Sequence, residues 1–294
     1  MEKIHVPRIN DDFEDFMTLF YIWDKVKNSN RDIELDFGRC NFLRQNAVAF
    51  LGGMARYLTF NDRNVTFNFE TVPTWVYTNL RQNGFVATFT EDDGPWNGNS
   101  IPYIETHNDE NINTYLENNW LGRGWVNISD NLKHAIVGKV YEIFANVYEH
   151  SDSPVGAFSC GQRFQNLNEL KLTVVDFGVG IPTKVKNYFN DLSLETLWTL
   201  EWAFTEGNST RTTQKYKGGL GLGILKDFIV ANDGKLEVYS HNGYCLIDKN
   251  GSIFEEHDEY FDGTIVNITL KCNENYYYWL EGDNDDDDDD FFNI

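Results

Sequence analysis

Leu170-Lys171-Leu172-Thr173-Val174-Val175-Asp176-Phe177-Gly178-Val179-Gly180-Ile181-Pro182 runs from an apolar-dominated strand into an acid followed by two spaced glycines. A strand that ends in a carboxylate and then turns through glycine brings its backbone close to something. A carboxylate held in such a turn is a natural acceptor for an exocyclic amine, as on adenine, and the glycines remove Cβ atoms that would block a flat base. A nucleotide also needs a cation and a cradle for its phosphates, and the flanking sequence offers residues for both.

Upstream, Leu132, Ile136, Val140, Ile143, Phe144 and Val147 form one stripe and predict a helix over Ile128 to His150, with Asp130 or Ser129 as its N-cap. Glu142, Asn146 and His150 recur at four-residue spacing, so they stack on one side of that helix. A carboxylate and a carboxamide so aligned can polarise a water and hold a hard cation through oxygen, as Mg²⁺ requires. Taken alone, a solvated polar helix face accounts for the same pattern. His150 reads equally as a side chain satisfied by a neighbouring carboxylate or as a phosphate contact, and His134 reads as structural.

Downstream, the polar stretch Thr205 to Lys217 leads into Gly218-Gly219-Leu220-Gly221-Leu222-Gly223 and then an apolar helical segment, Ile224 to Val230. Glycine-rich backbone opening a helix is an anion site, because free N–H groups and the helix dipole both face the ligand. Arg211, Lys215 and Lys217 can supply countercharge, and the stretch predicts a lid that a terminal phosphate would order. The spacing G-x-G-x-G after a polar loop is not the Rossmann fingerprint, and no G-x-x-x-x-G-K-[ST] occurs.

Together these segments resemble the GHKL superfamily of ATP-binding domains. Glu142-x-x-x-Asn146-x-x-x-His150 is similar to its N box and Asp176-x-Gly178-x-Gly180 to its first glycine box. Gly219-x-Gly221-x-Gly223 is similar to the second, and Gly263-Thr264, before the predicted strand Ile265 to Leu270, to the last. The resemblance implies a two-layer α/β sandwich over residues 129–272, with ATP between sheet and helices and Mg²⁺ held by Asn146. It further implies that Asp176 receives the adenine amino group, that Thr264 supports it through water, and that Glu142 acts as general base or orients a water. His150, Arg211, Lys217 and the glycines Gly178, Gly180, Gly219, Gly221 and Gly223 would complete the nucleotide contacts. His150 and Gly207-Asn208-Ser209-Thr210-Arg211 are most similar to anti-sigma-factor serine kinases and histidine-kinase ATPase domains.

The first 90 residues alternate differently. Phe16, Leu19, Phe20, Trp23 and Val26 predict an amphipathic helix, Ile33 to Phe37 a half-buried strand, Ala47 to Leu58 a helix whose Gly52-Gly53 pair permits close packing, and Val65 to Phe69 another strand. A short helix through Val76 and Leu80 ends at Gly84. Residues 1–90 therefore read as a small α/β domain. The strand ending Leu35-Asp36-Phe37, the pair Phe42-Leu43 and the helix ending at Leu80 with Gly84-Phe85 resemble a STAS domain, as found in anti-sigma-factor antagonists. Where that family offers a hydroxyl for phosphorylation this chain has Leu43-Arg44-Gln45-Asn46, which implies an interaction or dimerisation module instead.

Residues 91–128, rich in Asn, Asp and Gly, read as a linker with a short helix around Ile112 to Trp120, and 273–294 as a solvated acidic tail, the alternative being that Tyr276, Tyr277, Tyr278, Trp279 and Phe291-Phe292 dock on the protein. The chain has 294 residues and a formal net charge of −22, which argues against a nucleic-acid or anionic-membrane partner. Nine acids and no Lys or Arg lie beyond Lys271. Cys40, Cys160, Cys245 and Cys272 stand too far apart to suggest a zinc site or a disulfide framework. MEKIHVPRIN has no apolar leader-like run, so a cytoplasmic protein is expected. The expected function is Mg²⁺-ATP binding coupled to phosphorylation or sequestration of a protein partner, with a second copy of the chain as a further candidate partner in a homodimer. A nucleotide-gated interaction module and an ATPase without protein kinase activity are the alternatives.

Overall fold

Strand β1 (Glu2–His5), helix α1 (Phe13–Lys27), strand β2 (Ile33–Asp36), helix α2 (Gln45–Phe60) and strand β3 (Val65–Asn68) alternate at the start of the chain. The computed structural model describes residues 1–96, 98–205, 207–208, 210, 223–281, 283 and 292–293. The three strands pair in parallel in the order β1-β2-β3, with Leu35 opposite Ile4 and Phe67. Strand alternation turns Ile4, Leu35 and Phe67 into the core and leaves Lys3 to pair with both Glu34 and Asp36 on the other face. Helix α1 buries Phe16, Leu19, Phe20, Trp23 and Val26, and helices α3 (Thr74–Gln82) and α4 (Phe85–Phe89) close this unit.

The second sheet is antiparallel, in the order β4-β5-β6-β8-β7, built from β4 (Ser100–Thr106), β5 (Ala157–Phe164), β6 (Glu169–Asp176), β7 (Lys235–Asp248) and β8 (Gly251–Lys271). The helices of this half are α5 (Ile112–Tyr115), α6 (Asp130–His150), α7 (Gly180–Phe189), α8 (Thr196–Phe204) and α9 (Gly223–Ala231). Leu170, Leu172, Val174, Ile268 and Leu270 on one face join Leu132, Ile136, Phe144, Leu225 and Phe228 of α6 and α9 in one core. On the other face Phe158, Val175, Phe177, Tyr239, Phe261 and Ile265 join the core of α1 and α2. The fold is α/β in four layers: parallel sheet, α1 with α2, antiparallel sheet, then α6 with α9. Helix α2 is buried from Gln45 through Ala55 because sheets lie on both sides of it, as its all-round apolar sequence requires. Added Cβ atoms on Gly52 and Gly53 would meet Tyr103 at 2.1 Å and Phe177 at 2.4 Å, so the pair does set the close approach.

Two segments differ from their sequence reading. Within 91–128, read as a linker, Ser100–Thr106 is an edge strand of the large sheet, while the short helix expected over Ile112 to Trp120 is present as α5 and a π-helical turn at Leu116–Trp120 that buries Leu116 and Trp120. Pro102 fits there because an edge strand tolerates a missing donor. In 273–294, read as solvated, Tyr278 is 3% exposed: its N–H donates to Asn127 O at 3.0 Å, and its carbonyl accepts from Ser129 N–H at 2.8 Å. Strand β9 (Tyr278–Trp279) pairs in parallel with β10 (Phe292–Asn293), while the run Asp285 to Asp290 lies outside the described residues. The aromatic residues before the run give that part of the segment surface to bury, and Tyr278 is where it docks.

The N-cap of α6 is Ser129, not Asp130. Its Oγ accepts from Leu132 N–H at 3.1 Å and donates to Asp283 at 2.6 Å, while Asn131 donates to the same carboxylate at 2.7 Å. Ser129→Ala should lower stability by about 1 kcal/mol, read as an earlier denaturant midpoint, and Asp283→Ala by part of that. An unchanged midpoint in both would mean the cap carries no stability.

Polar groups also cross between the halves. Asp11 pairs with both Arg44 and Lys171, Gln45 reaches Thr173 and Asn267 at 3.4 Å each, and Asn267 donates to Glu237 at 3.0 Å. Burial holds the Glu237 carboxyl above its ordinary range, against the Asn267 hydrogen bond. The start of α2, at Arg44 and Gln45, is therefore turned toward the antiparallel sheet. Among the described residues no helix is long and apolar enough to cross a membrane.

Candidate nucleotide site

Strand β6 delivers Asp176 to its last position, in register with Thr264 of β8. The side chain is 4% exposed, and its Oδ1 accepts from Gly178 N–H at 2.8 Å. Burial pushes the carboxyl up to about 7, opposed by hydrogen bonds from the Gly178 and Thr264 backbone N–H groups. A carboxylate desolvated this far gains from any ligand that brings it a donor.

The glycines after Asp176 work differently from the sequence expectation. An added Cβ on Gly178 would lie 2.0 Å from the Ser151 carbonyl, and one on Gly180, whose φ is +73°, would lie 2.8 Å from both His241 and the Asp262 carbonyl. These two positions admit other parts of the protein, not a flat base. The Gly178 contact has a consequence for the site. Ser151 is the C-cap of α6, and its carbonyl accepts from Val179 N–H at 2.7 Å. The helix carrying Glu142, Asn146 and His150 is thereby tied to the turn that follows Asp176.

On α6, Glu142 accepts from Lys139 at 3.0 Å, with both side chains partly exposed. Asn146 follows one turn later, half-buried, and His150 one turn after that, with its Nε2 3.6 Å from the Glu149 carboxylate. Among the described residues no three or more His, Cys, Asp or Glu side chains gather as a metal cluster. A divalent cation here would rely on Asn146 together with phosphate and water oxygens, the mode that suits Mg²⁺. Gly223 opens α9 with nothing within 4 Å of an added Cβ. Arg211, Lys215, Lys217, Gly219 and Gly221 lie outside the described residues, and of the expected lid, residues 205, 207, 208 and 210 are described.

Ser240 and Phe177 were not singled out by sequence reasoning. Ser240 is fully buried on β7 opposite Thr264, and donates to Gly263 O at 2.9 Å. A small polar residue closing the run Leu236 to Tyr239 was the available signal, but its partner depends on a strand register that the sequence does not display. Phe177 reaches the other way, into the aromatic core of α1 and α2, with its ring centroid 5.1 Å from that of Trp23. Trp23 in turn donates to Asp262, two residues before Thr264, at 2.7 Å. Compared with known proteins, no family model and no curated protein matches this chain.

Proposed function

We propose that this chain is a Mg²⁺-ATP-binding regulatory protein of the GHKL type with a STAS-like N-terminal unit, which phosphorylates or sequesters a protein partner. One observation carries the reading: a buried, desolvated Asp176 paired in register with Thr264, on a turn bonded to the end of the helix that bears Glu142, Asn146 and His150. In this reading Asp176 accepts from the adenine amine, Thr264 lies beside it, Asn146 holds Mg²⁺, and Glu142 orients or deprotonates the attacking group. Arg211, Lys217, Gly219, Gly221 and Gly223 would meet the phosphates. A homodimer is compatible with this role, and nothing in it calls for nucleic acid or a membrane.

The contacts that Gln45 makes with Thr173 and Asn267, and Arg44 through Asp11 with Lys171, favour a second reading, a nucleotide-gated interaction module with little phosphoryl transfer. Labelled ATP and Mg²⁺, with and without co-purifying proteins, separate the two. Label on a second polypeptide supports the kinase, and binding with neither free phosphate nor labelled polypeptide supports the switch. Within either reading Asn146→Ala should remove the Mg²⁺ dependence of binding, and Glu142→Ala should spare binding while removing any turnover. Hydrolysis by Glu142→Ala at the wild-type rate would refute its assigned role.

A further inference from the structure

The hydroxyl of Ser240 has three neighbours and a single proton. It donates to Gly263 O at 2.9 Å, accepts from Ile181 N–H at 3.0 Å, and lies 3.2 Å from Thr264 Oγ1. Because the serine proton is committed to a backbone carbonyl, the short contact with Thr264 is a hydrogen bond only if the threonine donates. Thr264 Oγ1 is then left with lone pairs alone. Beside it Asp176, when ionised, also offers only acceptors, one of its oxygens already receiving Gly178 N–H.

From this geometry we infer that Ser240 is a specificity-determining residue, which fixes the Thr264 hydroxyl as an acceptor so that the base site favours a purine with a 6-amino group over one with a 6-oxo group. The inference rests on the nucleotide reading of the Asp176 site and adds a residue that the sequence motifs do not contain. Adenine presents N–H donors at the 6-position, whereas hypoxanthine presents a carbonyl oxygen. An oxo group facing the Thr264 and Asp176 oxygens would leave acceptors opposed and unpaired, the situation that gives the strongest discrimination between similar ligands. Ser240 touches neither base nor phosphate in this arrangement. It acts through Thr264, and also ties Ile181, in the first turn of α7, to the same point.

The test is the ratio of ATP to ITP affinity by calorimetry at pH 8, with Mg²⁺, on the full chain. Ser240→Ala frees the Thr264 proton to meet a 6-oxo group, and the ratio should fall about tenfold. Thr264→Val should lower it by a similar factor, Thr264→Ser should hold it within about twofold of wild type, and Ser240→Ala with Thr264→Val should fall no further than either single change. Ser240→Cys, which keeps the volume while weakening donor and acceptor, reads the same ratio if the alanine variant does not fold. A role in packing alone would weaken ATP and ITP equally. An unchanged ratio in Ser240→Ala, or additive losses in the double variant, would overturn the assignment while leaving ATP binding intact. Wild-type protein that binds neither nucleotide would overturn the nucleotide site itself and the role of Ser240 with it.

Discussion

Asp176→Asn is expected to weaken ATP binding at pH 8 by on the order of 1.5–3 kcal/mol, about 10- to 150-fold in Kd, while costing the free protein little stability. The two effects part because of burial. In the free protein the carboxyl is desolvated and held up to about 7, so a neutral amide of the same shape relieves a penalty. With nucleotide bound, the amide sets an N–H group where a carboxylate oxygen would accept from adenine.

The pH dependence follows with a definite sign. An unfolded aspartate titrates near 3.9, so between about pH 4 and 7 the folded chain holds a proton that the unfolded chain has lost. Stability from this group is therefore present below pH 4, falls as pH rises through that window, and is flat above it. Binding runs the other way, because only the ionised carboxylate fully accepts an amine, and ATP affinity should climb from pH 6 to 8. The part of each slope that Asp176 supplies should be missing in Asp176→Asn, and it is read as the difference between the two proteins, in which the titration of Glu237 and of the nucleotide itself cancels. Chemical denaturation and calorimetry at pH 5, 6, 7 and 8 measure both. Equal ATP affinity in the two proteins at pH 8 would refute the adenine assignment for Asp176.

Legibility in the sequence followed how local each determinant is. The stripes of α1 and α6 and the all-round apolar α2 lie within single segments, and each helix sits where its period placed it. Asp176 at a strand end was equally local. Lys171 and Thr173 alternate with Leu170 and Leu172 in a strand that reads simply as apolar-dominated, yet they too are only 7% and 0% exposed, because α2 covers their face. Nothing in the strand's own pattern reveals a covering layer. The same holds for Gly178 and Gly180: their need for space was visible, but what fills it comes from Ser151, His241 and Asp262, distant in sequence or on another strand. Strand β4 escaped notice because an edge strand has a weak pattern, and Pro102 interrupts it.

The packing of Phe177 sets the second large expectation. Its side chain is 3% exposed, and ring centroids of Trp23, Phe50 and Tyr57 from α1 and α2 lie at 5.1, 5.4 and 6.0 Å, with Phe261 of the sheet at 5.2 Å. Phe177→Ala should therefore destabilise the chain by about 3–5 kcal/mol, the range for emptying a well-packed aromatic site, and lower Tm by roughly 10 °C. Phe177→Leu should recover much of the loss by refilling the volume. The position in the chain adds a second consequence, since Phe177 stands between Asp176 and Gly178. Any rearrangement of the turn on ligand binding pulls on the layer of α1 and α2, and the cavity variant should cut that connection. In the wild type, ATP should protect amides both in the turn, residues 176–181, and in α2, residues 45–60. In Phe177→Ala, at a temperature where it is fully folded, protection should persist in the turn and fade in α2. A Tm within about 2 °C of wild type would contradict the packing argument. Protection that reaches α2 equally in both proteins would show that the coupling takes another route, with the hydrogen bond from Trp23 to Asp262 as the next contact to remove.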